Sequence, residues 1–85
     1  MANMLDFAFS TSDEITAELG LRLKAVRLSQ SLTQADLAER AGISVGTVKS
    51  LERTGQSSVV SLVRVVQALG LTDQLQSLFV LKVQS

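Results

Sequence analysis

The segment 33–51 constrains the fold more than any other part of the chain. Thr33 is followed three residues later by Asp36. This is the pattern of a capping box, in which side chain and backbone satisfy each other's orphan groups at a helix start. Apolar Leu37, Ala38 and Ala41 then recur at helical spacing. Gly42 follows them, and glycine readily takes the left-handed conformation that closes a helix. Ile43 occupies the turn and Ser44 offers a fresh N-cap. Val48 and Leu51 continue the apolar face through a further helix to about Arg53. Two helices joined by so short a glycine-containing connection must cross steeply. The crossing needs a small residue where the helices touch, which is the place of Ala38. Leu37, Ile43, Val48 and Leu51 then supply a shared core. Any small helical bundle with a tight turn makes the same demands, so the pattern fixes geometry before function.

The flanking sequence extends the helical reading. Thr11 and Glu14 form another capping box, and Asp13 and Glu14 suit the positive end of the helix dipole. Ile15, Leu19, Leu23 and Val26 carry the first helix over about 12–30. Gly20 costs that helix roughly 1 kcal/mol relative to Ala, which suggests a close approach that only glycine allows. Ser58 caps a fourth helix closed by Gly70 after Leu69. Thr72 is expected to cap a fifth, with Leu75, Leu78 and Phe79 as its apolar side. Residues 79–83 either prolong that helix or form a short strand rich in β-formers. The expected class is therefore all-α, with five short helices and an optional C-terminal strand. A tail at 1–11 contains apolar Met4, Leu5, Phe7, Ala8 and Phe9. The folded unit spans 12–79, its two-helix unit 33–53, and a second tail covers 80–85.

Composition excludes most chemistry. The 85 residues contain no cysteine, which rules out disulfides and thiolate–metal sites, and no histidine, which rules out His-based acid–base work. No apolar run exceeds four residues, far short of the roughly 20 of a membrane span. Residues 1–6 lack a basic leader, so no signal peptide and a cytoplasmic location are expected. The stretch 46–50 glances at a phosphate loop and fails, because Val48 stands where a glycine must precede the lysine. Asp13 and Glu14 read as helix-start acids. Asp36 and Glu39 read as a solvated face, with Arg40 spaced to pair with Asp36. No catalytic constellation, metal site or cofactor is expected.

Leu19-Gly20, Leu23, Arg27, Leu32-Thr33-Gln34, Leu37-Ala38, Gly42-Ile43-Ser44, Thr47-Val48, Leu51-Glu52 and Ala68-Leu69-Gly70 together resemble the Cro/C1-type (Xre) helix-turn-helix domain. The resemblance covers roughly residues 19–79. It implies a five-helix, lambda-repressor-like DNA-binding domain that works as a dimer, with its third helix in the major groove. It also implies a phosphate contact at Gln34 and an ion pair between Arg27 and Glu52. The helix dipole supports the latter: an acid near the C-terminal end of a helix needs compensation. The sequence departs from the family at Ser57 and Ser58, where members often carry a proline before the fourth helix.

On a helical wheel, Val48 and Leu51 mark the buried side of the third helix. Gly46, Lys49, Ser50 and Arg53 lie opposite, with Val45 and Thr47 on the flanks. Val45 suits a thymine methyl, and Ser50 suits several bases. Gly46 allows close backbone approach. Lys49 suits guanine or phosphate, and Arg53 suits phosphate. The competing reading makes Lys49 and Arg53 ordinary solvated charges. Ser44 is either a further contact or simply a cap. Leu75, Leu78, Phe79, Leu81 and Val83 are candidates for a dimer surface, with Leu5, Phe7 and Phe9 as a second patch; intramolecular packing is the rival for both.

Two functions stand. One is a sequence-specific regulator, a repressor binding double-stranded DNA as a homodimer. The other is the antitoxin of a toxin–antitoxin pair, binding a toxin protein and its own operator. The formal net charge of zero argues against DNA only at first sight. Residues 1–18 hold four acids and no base, while residues 19–64 hold seven bases against three acids. The core is basic, and the field that matters is local, within about 8–10 Å.

Overall fold

The computed structural model describes residues 5–83 and is all-helical. A 3-10 turn at Phe7–Phe9 precedes α1 (Ser12–Ser29), α2 (Gln34–Ala41), α3 (Val45–Thr54), α4 (Val59–Ala68) and α5 (Thr72–Gln76). Residues 1–4, Met4 among them, and residues 84–85 lie outside the described residues.

Short polar side chains set the helix starts. The Glu14 N–H donates to Thr11 Oγ1 at 3.1 Å, and Glu14 Oε1 accepts from the Thr11 N–H at 2.8 Å. Thr33 and Asp36 repeat this exchange at 3.0 and 2.9 Å. Each box removes orphan donors from a helix start. The Asp36 carboxylate serves the cap and forms no ion pair with Arg40 within 4 Å. Ser44 and Ser58 accept from the N–H groups of Thr47 and Ser61. The fifth helix departs from expectation. Thr72 is its first residue rather than its cap, and Leu71 takes the cap position with no side-chain bond. Helix α5 runs only five residues.

The core forms where α3 packs between α1 and α2 and where α4 packs on α2. Leu23, Leu32, Leu37, Ala38, Ala41, Val48, Leu51, Val65, Val66 and Leu69 are buried, with Leu37 and Val48 fully so. Two glycines shape it. Gly42 adopts φ +69°, turning the chain from α2 into α3. At Gly20 a Cβ would collide with the Leu51 carbonyl oxygen and stand 3.0 Å from that of Glu52. Helix α1 therefore crosses the last turns of α3 at backbone contact distance.

The tails differ. Phe7 is half-buried, with the Arg22 guanidinium 5.0 Å above its ring, and Arg22 also pairs with Glu18 at 2.9 Å. The N-terminal turn thus rests on α1 through a cation–π contact. At the other end, residues 77–79 turn, and Phe79 takes φ +60°. Residues 80–83 then run without helix or strand pairing. Neither expected form of this tail is adopted. The left-handed Phe79 diverts the chain from a helical continuation, and no strand among the described residues offers a partner.

Candidate nucleic-acid interface

Helix α3 presents one face outward and anchors the other. Val48, Leu51 and Glu52 are buried. Val45, Gly46, Lys49 and Arg53 are exposed, and Thr47 and Ser50 are half-buried. Lys49 and Arg53 form no ion pair within 4 Å among the described residues. The Ser44 hydroxyl is engaged at the helix start, capping the Thr47 N–H and lying 2.8 Å from Thr47 Oγ1. Ser50 Oγ donates to the Gln56 carbonyl at 3.3 Å, tying the outer face of α3 to the loop behind it.

Beneath that face lies a buried polar network. Arg27 and Glu52 are only 6% and 4% exposed. Arg27 Nε donates to Glu52 Oε2 at 2.6 Å and Nη2 donates to Oε1 at 3.0 Å, a planar fork on a carboxylate. The third nitrogen, Nη1, donates to the Leu32 carbonyl at 2.7 Å, so the same guanidinium ties down the loop between α1 and α2. The hydrogen bonds to Glu52 hold the Arg27 guanidinium even more firmly protonated than usual. Gln34 Nε2 completes the set, donating to Glu52 Oε1 at 3.1 Å. Every buried side-chain polar atom among the described residues has a partner. One carboxylate on α3 thus joins α1, the first residue of α2 and the base of the outward face.

The Gln34 amide nitrogen reaches inward to Glu52, while its backbone N–H at the start of α2, the group suited to a phosphate, has no helical partner. The inward bond links residues 18 apart on different helices. The sequence signal is Glu52, an acid that needs compensation near the end of α3; a wheel of α3 alone does not name Gln34 as a donor beside Arg27.

Among the proposed dimer residues, Leu75 packs against the core. Leu78, Phe79, Leu81 and Val83 are exposed, Phe79 by 93%. In the second patch Phe9 is exposed, Leu5 is exposed at its margin, and Phe7 is the residue held by Arg22.

A family model described as a helix-turn-helix domain matches residues 18–79. The chain belongs to the helix-turn-helix domain family. The match begins in α1, ends just past α5, and encloses both the α2–turn–α3 unit and its Arg27–Glu52–Gln34 brace. Membership makes the helix-turn-helix unit a DNA-binding element. A comparison with curated proteins returned no match. Among the described residues no helix is long and apolar enough to cross a membrane, and no three acids group as a metal site.

Proposed function

We propose that this helix-turn-helix domain is a sequence-specific transcriptional regulator of the Cro/C1 (Xre) type, a repressor that binds a two-fold symmetric operator as a homodimer. The observation that carries the reading is the outward face of α3: exposed Val45, Gly46, Lys49 and Arg53 on a helix whose opposite face is clamped by Glu52. A recognition helix needs this combination, because base contacts demand fixed side chains and phosphate contacts demand unpaired cations. Val45, Gly46, Thr47 and Ser50 would read bases or their shape, and Lys49 and Arg53 would take bases or phosphates. Gln34 and Ser44 would add backbone contacts at the starts of α2 and α3. The domain boundaries 12–79 and tails 1–11 and 80–85 belong to the same reading, as does action on DNA in the bacterial cytoplasm or a phage-infected cell.

One domain reads few base pairs, and a two-fold dimer doubles them with half-sites about 34–36 Å apart. Exposed Leu78, Phe79, Leu81 and Val83 supply an apolar surface for that dimer. The same surface supports the rival reading, an antitoxin that covers it with a toxin. Sedimentation of the purified chain separates them: a two-chain particle favours the first, and a monomer that binds DNA only with a second protein favours the rival. The DNA reading itself is tested by Lys49→Glu. Retention of duplex DNA is expected to disappear while helicity and melting stay unchanged. Unchanged retention would show that α3 does not face the duplex.

A further inference from the structure

A groove of about 280 Å³ runs between α1, the start of α2 and α3, lined by Leu21, Lys24, Gln34, Lys49, Glu52 and Arg53. Three of these are cations, and one of them, Lys24, comes from α1. The single acid in the lining is Glu52. Its two oxygens are taken by Arg27 and by the Gln34 amide, so its charge is already matched within the fold. Lys24, Lys49 and Arg53 form no ion pair within 4 Å among the described residues. Three unpaired cations around one groove repel one another and favour an anion between them.

The walls of this groove are held at a fixed separation. Arg27 stands one helical turn after Lys24 on α1 and is forked onto Glu52 of α3. Gly20, one turn before Lys24, brings the two backbones together. Lys24 therefore reaches the edge of α3 from a rigid second helix.

We propose that Lys24 is a DNA-binding residue that, with Lys49 and Arg53, clasps one backbone phosphate of the duplex on which α3 lies. The inference rests on the DNA-binding reading of α3 and adds α1 to it. A phosphate gripped from two helices fixes the angle of α3 in the groove without reading sequence. The contribution of Lys24 is therefore the same on every duplex.

The test is a salt titration of the full chain with a fluorescent 30-base-pair duplex of random sequence. Wild type, Lys24→Gln and the charge-matched Arg40→Gln are compared; Arg40 is an exposed α2 residue that lines a different groove. Loss of one phosphate contact lowers the slope of log K against log salt by about 0.9 per bound chain. At 0.15 M salt that corresponds to about a fivefold loss per chain. Lys24→Gln is expected to show both changes, and Arg40→Gln neither. If wild type binds and Lys24→Gln keeps its slope, the inference is overturned while the DNA reading stands. If Arg40→Gln loses as much as Lys24→Gln, the effect is general charge and the inference is again overturned. If wild type shows no binding, the DNA reading falls and this inference with it.

Discussion

Removing the Arg27 side chain is the sharpest perturbation of the brace beneath α3. Arg27→Ala deletes two hydrogen bonds to Glu52 and one to the Leu32 carbonyl. It leaves a carboxylate only 4% exposed, with Gln34 as its remaining donor. A buried charge stripped of its partner costs about 3–5 kcal/mol. For a domain of this length the total stability is only about 4–13 kcal/mol, and each kcal/mol moves the melting temperature by about 4–8 °C. Arg27→Ala is therefore expected to lower Tm by roughly 12–40 °C in circular-dichroism melts at pH 7. The double variant Arg27→Met, Glu52→Leu should recover at least half of the loss, since it removes both charges rather than one. A Tm within about 3 °C of wild type for Arg27→Ala would refute the account of the brace.

Gly20→Ala should cost about 2–3 kcal/mol in urea denaturation, because its Cβ meets backbone carbonyls of α3 that cannot rotate aside; a neutral or stabilising result would mean that α1 does not approach α3 so closely. The carboxyls of Glu14 and Asp36 are held below their usual range by hydrogen bonds from the Thr11 and Thr33 backbones and side chains. A depressed folded-state value stabilises above the ordinary carboxylate value and is lost as pH falls through the lowered one, so Glu14→Gln with Asp36→Asn should flatten the acid limb of Tm against pH below about 5. Replacing both Phe79 and Leu81 by Ser should turn a dimer into a monomer in sedimentation at micromolar concentration without lowering the monomer's helicity, since both side chains are exposed.

The parts of this molecule that the sequence made legible are those decided within four residues. Thr11, Thr33, Ser44 and Ser58 cap helices because a short oxygen-bearing side chain reaches an N–H three residues on. Gly42 ends α2 for an equally local reason. The same logic does not reach Thr72, which is the first residue of α5 while Leu71, packed against the core, takes the cap position. The sequence pattern places Leu78 and Phe79 on the apolar side of α5, yet the helix stops at Gln76 and both lie outside it. Their hydrophobicity says that they avoid water, not which surface removes them from it. The candidate site divides in the same way. A wheel of α3 separates Lys49 and Arg53 from Val48 and Leu51. It says nothing of Lys24 or of the inward turn of Gln34, because those relations exist only once α1 and α2 are docked.

In the proposed function α3 reads DNA as one half of a symmetric pair. Selection of bound duplexes from a random pool, followed by sequencing, tests it most directly. The account predicts an inverted repeat whose half-sites lie about one helical turn, 10–10.5 base pairs, apart centre to centre. Substituting Val45 or Ser50 should change the recovered bases in both halves equally. A pool that yields no enriched sequence, or a single unrepeated site, would contradict it.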